Sequence, residues 1–423
     1  MLQLSYIREN KQDVIDRLRI KNFDGTAIIE QVMQLDAKRR STQTELDALL
    51  NEANQLSKQI GELFKSGKKA EAEDLKNKSQ SLKEVSRKLE ESLGAVEQEQ
   101  NKLLLQVPNL PHADVPGGRT PAENELVFQH GSLPKLYADA KPHWELTSRY
   151  DIIDFELGVK LTGAGFPVYK GKGARLQRAL INFFLDNATA AGYIEIQPPS
   201  MVNEASGFGT GQLPDKEGQM YHVGVDNLYL IPTAEVPITN IYRDVILKRE
   251  QLPIKNCGYS NCFRREAGSY GKDVRGLNRL HQFDKVEIVQ IADPERSYEI
   301  LVEMREYVAG LLKKLELPFR ILKLCGGDMS FASALTYDLE VYSAAQEKWL
   351  EVSSVSNFES FQSNRLKLRF KGADGKSHLA HTLNGSALAF PRVVAALIEN
   401  NQSSEGIRIP QALIPYTGFD LIN

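Results

Sequence analysis

The apolar residues of the first hundred positions fall on two helical stripes. Between Ile28 and Leu63, the positions Ile28, Val32, Leu35, Arg39, Thr42, Leu46, Leu49, Ala53, Leu56, Ile60 and Leu63 follow alternating spacings of four and three. That is a heptad seam with two polar interruptions, at Arg39 and Thr42. The pattern breaks at Ser66-Gly67. Beyond it Leu75, Leu82, Leu89, Val96 and Leu103 recur by sevens, with Val85 and Leu93 filling between. Two stripes flanking a short break predict a long antiparallel helical hairpin. About forty residues per arm give a rod of roughly 60 Å. Such a rod cannot be buried within an ordinary domain, so it is expected to project.

The segment VPNLPHADVPGG, Val107 to Gly118, ends the helical pattern with three prolines and two glycines and reads as a boundary. The expected division is a helical domain over 1–106, a linker over 107–118 and a second domain over 119–423. After the boundary, strand-like runs (Leu228 to Ile231, Lys285 to Gln290, Trp349 to Ser353) alternate with helical ones (Arg175 to Ala191, Pro294 to Leu315). Strands interleaved irregularly with helices, at hairpin-like spacing around a glycine loop, predict an α+β class with a largely antiparallel sheet flanked by helices.

A chain of 423 residues has room for two or three domains. Its hydrophobic content of 42% and charged content of 25% are ordinary for a soluble globular protein. The net charge of -3 gives no global pull toward nucleic acid, so any such binding must be local. Three cysteines, Cys257, Cys262 and Cys325, argue against a disulfide framework and fit a reducing compartment. Cys257 and Cys262 lack a second pair at metal spacing and read as small buried hydrophobes. His378 and His381 stand without a Cys or acid cluster that would make them ligands. The first residues, MLQLSYIRENKQDV, carry charges where a signal peptide needs an apolar run, and no stretch approaches a membrane span. A cytoplasmic protein is expected, with neither membrane nor DNA as a partner.

Charge is uneven along the hairpin. From Lys58 to Lys88, nine basic residues (Lys58, Lys65, Lys68, Lys69, Lys76, Lys78, Lys83, Arg87, Lys88) face five acids (Glu62, Glu71, Glu73, Asp74, Glu84). The surplus fits either a solvated coiled-coil face or a surface for a nucleic-acid backbone.

The stretch FRREAGSYGKDVRGLNRLHQFDKVE, starting at Phe263, concentrates chemistry between two apolar runs. Arg264, Arg265, Arg275 and Arg279 supply four guanidiniums in sixteen positions, and Gly268, Gly271 and Gly276 make a flexible loop. Planar guanidinium forks suit phosphate and carboxylate; a solvated charged hairpin is the alternative. No Walker motif is present. Gly375-Lys376-Ser377 imitates the end of one, but Phe370 occupies the place of its earlier glycine, so a hairpin turn is expected there.

In REAGSYGKD and HQFDKVE this stretch closely resembles motif 2 of the class II aminoacyl-tRNA synthetases, and among them the bacterial-type seryl-tRNA synthetases. The run GKGARLQRALINFFLDNATAAGYIEIQPPSMV, Gly171 to Val202, resembles motif 1, a helix and strand used in that family for dimer packing. HTLNGSALAFPRVVAALIENNQ, His381 to Gln402, resembles motif 3, with Ala387 and Pro391 where the family often has glycine. The HIGH and KMSKS signatures of class I are missing.

The resemblance implies a serine–tRNA ligase that forms seryl-adenylate from L-serine and ATP, then charges tRNA(Ser), with tRNA(Sec) as a further candidate. It implies that Arg264 bridges the α-phosphate and the serine carboxylate, with Arg265 beside it, and that Glu266 contacts the adenine end. Phe283 and Arg392 would sandwich adenine, a favourable pairing of π-face and guanidinium. Arg279 would lie near the pyrophosphate. Glu351 would hold Mg²⁺, with Val352, Ser353 and Ser354 completing the nucleotide site. Thr233, Ala234, Glu235, Glu287, Asn384 and Ser386, with Arg264, match serine-facing positions. A site built to hydrogen-bond a hydroxyl can select serine over alanine, whereas threonine must be refused by shape; which of Glu235 and Glu287 takes the ammonium is left open. The arm would grip tRNA through Lys58, Lys65, Lys68, Lys69, Lys76 and Lys83. A homodimer is implied, with the arm of one subunit presenting tRNA to the active site of the other. Two alternatives remain: a homologue charging a carrier protein, and a non-catalytic RNA-binding coiled-coil protein.

Overall fold

The computed structural model describes residues 1–266 and 275–423. Gly268 and Gly271, with the rest of the 267–274 segment, lie outside the described residues. The chain divides into two compact units, one formed by residues 1–19 and 23–108, the other by residues 20–22 and 109–423.

The first unit is helical. α1 (Leu4–Glu9) and α2 (Lys11–Ile20) precede two long helices, α3 (Thr26–Lys65) and α4 (Lys69–Leu104), which pair as a hairpin joined through Ser66, Gly67 and Lys68. Every expected seam position of α3 is buried or half-buried. The polar interruption at Arg39 has a cause: Asp36 is fully buried one turn earlier and forms ion pairs with Arg8, Arg39 and Arg40 at 3.2–3.3 Å. In α4 the seam differs from expectation. Val85 is 42% exposed, and the positions between the leucines are filled by Ala72, Ser79, Ser86, Leu93 and Gln100, all buried or half-buried. This second row also recurs by sevens, but its small and polar members hide it from a count of apolar residues.

The second unit is built on an eight-stranded sheet. Its strands are β1 (Glu125–His130), β2 (Ile194–Glu195), β3 (Ile254–Phe263), β4 (Gln282–Ala292), β5 (Phe319–Lys323), β6 (Leu335–Ser343), β7 (Lys348–Asn357) and β8 (His381–Ala389). They run in the order β1-β5-β6-β7-β8-β4-β3-β2, antiparallel throughout except for the β2–β3 pair.

Strand alternation divides the residues of β4 between two faces. Val286 and Ile288 belong to the large core formed with α5 (Gly171–Ala190), α7 (Ser297–Lys314) and α9 (Phe390–Asn400). Lys285, Glu287, Val289 and Ile291 take the opposite face, where Val289 and Ile291 pack with residues of α6 (Glu235–Asn240) and α8 (Ser360–Leu366), while the Phe283 ring packs against the edge of the large core. Gly258 of β3, directly opposite Glu287, lets α6 come close. A Cβ there would stand 2.8 Å from Ile238 and 2.5 Å from the Ile196 carbonyl oxygen, so only glycine accommodates that packing.

Residues 109–118 of the stretch expected as a linker belong to this unit. Asn109 is buried and its side-chain amide donates to the carbonyls of Ala332 and Phe358 at 2.9 and 2.8 Å. The expected turn at Gly375 joins two short strands in which Phe370 pairs with His378. All three cysteines are buried free thiols, and burial pushes Cys257 up to about 12. His378 bonds Asp374, and His381 bonds Ser297. Among the described residues no group of three His, Cys, Asp or Glu side chains could hold a metal, and no helix is long and apolar enough to cross a membrane.

Candidate active site

The sheet brings the expected residues into three groups. The first is a buried polar pocket at the junction of β4, α6 and α8. Glu287 accepts the hydroxyl of Thr233 at 3.0 Å and pairs with Lys285 at 2.5 Å, while Lys285 donates to the Thr233 oxygen at 2.8 Å. All three residues are buried. Lys285 was not among the expected residues; the signal for it was a lysine and a glutamate at alternate positions beside the apolar Val286, Ile288 and Val289.

Glu235, at the start of α6, accepts the Gln362 amide at 2.7 Å, and Gln362 in turn accepts the Thr382 hydroxyl at 2.6 Å. Burial, reinforced by the charge of Glu287, raises Glu235 to about 7. Gln362 gave no local sequence signal, since it reaches the pocket from a different helix. Ser386 lies opposite Glu287 in the β4–β8 register, and Asn384 lies opposite both Val289 and Ser356. Directly paired residues share a face, so both are on the pocket side. Ala234 is fully buried and packs with Val289.

The second group adjoins it at the end of β3. The Arg264 backbone N–H donates to the His281 carbonyl at 2.9 Å, and its guanidinium carbon lies 5.3 Å from the centre of the Phe283 ring, a cation–π contact. The Arg264 charge acts on Glu235, which ties this group to the pocket. The Arg265 N–H donates to the Gln219 carbonyl at 2.9 Å. Glu266 adopts a φ of 48° and pairs with Arg279 at 2.8 Å.

The third group spans β6, β7 and α9. Arg392, in the first turn of α9, donates to the Asn278 carbonyl at 3.1 Å and to the Glu351 carbonyl at 2.8 Å, with the Glu351 carboxylate 3.6 Å away. The Ser354 hydroxyl donates to that carboxylate at 3.3 Å. Val352 lies in the large core, and the Ser353 hydroxyl is spent on the Ser386 carbonyl at 2.6 Å. Of the run 351–354, Glu351 and Ser354 turn their side chains to the site. Asp338, opposite Ser354 in the register, is buried with one carboxylate oxygen unpartnered. Burial, and then the charge of Glu351, hold its carboxyl well above the usual range.

In the helical unit Lys58, Lys65, Lys68, Lys69, Lys76 and Lys83 are all exposed. Lys68 and Lys76 pair with Glu71 and Glu73 at 3.2 and 3.0 Å. Among the described residues, no carboxylate pairs with Lys58, Lys65, Lys69 or Lys83.

Comparison with known proteins places the chain in a family. Residues 1–111 match the seryl-tRNA synthetase N-terminal domain family, and residues 221–401 match the class II tRNA synthetase core domain (G, H, P, S and T). A serine–tRNA ligase of Salinibacter ruber is 51% identical over 99% of this chain and 98% of its own. That of Chlorobium luteolum is 48% identical over 100% and 99%. Among solved structures, a seryl-tRNA synthetase from Pyrococcus horikoshii complexed with ATP superposes with a TM-score of 0.92 at 32% identity, covering 100% of this chain and 99% of that one. A cytoplasmic serine–tRNA ligase from Naegleria fowleri in complex with AMP gives 0.87 at 27% identity, again covering 100% and 99%.

Proposed function

Because the chain belongs to the seryl-tRNA synthetase family, we propose that it is the enzyme that forms seryl-adenylate from L-serine and ATP and transfers the seryl group to tRNA. A carboxylate oxygen of serine attacks the α-phosphorus of ATP as the bond to the β-phosphate bridge breaks, releasing pyrophosphate. The terminal adenosine hydroxyl of tRNA then attacks the seryl carbonyl carbon, and AMP leaves. No side-chain nucleophile is needed, and the protein contributes positioning and charge stabilisation. The observation that carries this reading is the buried polar cluster of Thr233, Glu235, Lys285 and Glu287, with Arg264 stacked on Phe283 at the adjoining end of β3.

In this reading Arg264 spans the serine carboxylate and the α-phosphate, and Arg279 serves the pyrophosphate. Phe283 and Arg392 hold adenine, with Arg265 and Glu266 bordering the nucleotide. Val352 and Ser353 contribute through their backbone. Asn384 and Ser386 face the amino acid together with Thr233 and Ala234. The hard oxygens of Glu351 and Ser354, beside the orphaned oxygen of Asp338, suit Mg²⁺, an ion that keeps water and phosphate among its ligands. When bound it neutralises phosphate charge.

Glu235 is the better partner for the serine ammonium, because the Glu287 carboxylate is already matched by Lys285. A cation binds the ionised carboxylate, and Glu235 becomes ionised as pH rises through about 7. The KM for serine is therefore expected to fall from pH 6 to pH 8, and Glu235→Gln to flatten that profile while raising KM at least tenfold. Initial-rate measurements across this range check it; an unchanged profile in the variant would transfer the ammonium to Glu287.

The exposed lysines of the arm suit the phosphate backbone of tRNA(Ser), and of tRNA(Sec) if that RNA offers the same shape. A second copy of the chain suits the apolar surface at the sheet edges, where Leu126, Phe128 and Ile194 are 55%, 43% and 63% exposed. We assign the enzyme to the cytoplasm, where its three free thiols would stay reduced. Charging of a tRNA pool with labelled serine, set against charging of carrier-protein thiols, tests the acceptor. Label in tRNA alone is the expected result, and label in a carrier thiol would favour the alternative acceptor.

A further inference from the structure

The nucleotide residues rest on a buried network that has no assigned part in the chemistry. His143 and Glu399 are both fully buried. His143 Nδ1 lies 2.7 Å from Glu399 Oε1, and the His143 backbone N–H donates to the same oxygen at 2.9 Å. The other ring nitrogen, Nε2, accepts the Leu277 N–H at 2.9 Å. An accepting nitrogen carries no proton, so the proton sits on Nδ1 and the ring donates to Glu399. The second Glu399 oxygen accepts the Ser343 hydroxyl.

Gln346 extends the network toward the site. Its amide nitrogen donates to Glu399 at 3.2 Å, and its oxygen accepts the Asn278 side chain at 3.0 Å. The Asn278 carbonyl is the oxygen that receives Arg392 Nε. Gly276 makes the close approach possible, with a φ of +66° and a site where a Cβ would stand 2.3 Å from His143 Nε2. Arg275 lies over the Trp144 ring, 4.8 Å from its centre. A buried carboxylate facing a neutral imidazole costs stability unless it is hydrogen-bonded, and here the same polar atoms orient the backbone of 276–278.

We propose that His143 and Glu399 are positioning residues for adenylate formation: they fix the backbone of residues 276–278 and, through the Asn278 carbonyl, hold the Arg392 guanidinium in place for ATP. The proposal rests on the nucleotide role assigned to Arg392 above. His143 touches no reacting atom and acts through the chain that it seats.

The test compares ATP affinity by calorimetry, and KM for ATP and for serine in pyrophosphate exchange, across wild type, His143→Asn, His143→Gln, Glu399→Gln and Gln346→Ala. His143→Asn and Glu399→Gln should weaken ATP binding about tenfold, the lower end of what a hydrogen bond to a charged group contributes, with the serine KM within about twofold of wild type. His143→Gln, whose side-chain oxygen can still accept the Leu277 N–H, should recover most of the loss. Gln346→Ala is a milder change outside the buried pair and should cost a few-fold. Folded variants with unchanged ATP affinity, or with ATP and serine KM rising equally, would overturn the proposal. Calorimetric ATP binding decides this even if exchange prefers another amino acid, an outcome that would count against the serine reading instead.

Discussion

Arg264→Ala is expected to lower serine-dependent pyrophosphate exchange by on the order of 10²–10³-fold, the usual cost of removing one preorganised charge-stabilising donor. The guanidinium stands at the end of β3 against the Phe283 ring and acts on the buried Glu235, so its loss affects both substrates. KM for serine should rise together with the fall in kcat. Arg264→Lys should recover only part of the activity, because an ammonium cannot supply the bidentate fork. Affinity for tRNA, measured by filter binding, should stay within about twofold, since no arm residue is altered. Near-normal exchange in the alanine variant would remove Arg264 from the chemistry.

Reversing the charge of Lys58, Lys65, Lys69 and Lys83 to glutamate should produce the second large effect, in the opposite half-reaction. These four lysines are exposed and, among the described residues, not paired with any carboxylate. Backbone contacts of this kind dominate affinity for nucleic acid and make it depend on salt. Charging of tRNA should fall roughly 10²–10³-fold at low tRNA concentration, and the dependence of binding on log[salt] should become shallower. Pyrophosphate exchange without tRNA should remain within about twofold of wild type. Equal loss of both activities would contradict a separate RNA-binding role for the hairpin.

The parts of the molecule legible in the sequence were those carried by period and by local clustering. The alternation of four and three in α3 and the sevens in α4 specified the hairpin, because coiled-coil packing imposes that repeat. The second row of the α4 seam was hidden by Ser79, Ser86 and Gln100, which fill core positions without being apolar. The arginine-rich stretch exposed Arg264, Arg265 and Arg279, and the resemblance to motifs 2 and 3 added Phe283 and Arg392. Residues brought in from distant segments left no local trace. Gln362 reaches Glu235 from α8, His143 supports Leu277 across 134 positions, and Asp338 meets Ser354 only through strand register. Lys285 was visible as a charge beside the apolar Val286, Ile288 and Val289, but its partner Thr233 lies 52 positions away. Sheet pairing and helix packing create such neighbours, so they become apparent only after folding.

The buried cluster of Glu235, Lys285 and Glu287 is proposed to hold serine for activation. Amino-acid-dependent ATP–pyrophosphate exchange on the purified protein, without tRNA, tests it most directly with serine, threonine, alanine and glycine as alternative substrates. Exchange with serine should exceed the others by at least tenfold. Alanine should be rejected because it leaves buried hydrogen-bonding groups unpaired, and threonine because its extra methyl group must fit a closed pocket. Exchange that prefers another of the four, or that is absent with all of them, would contradict the account.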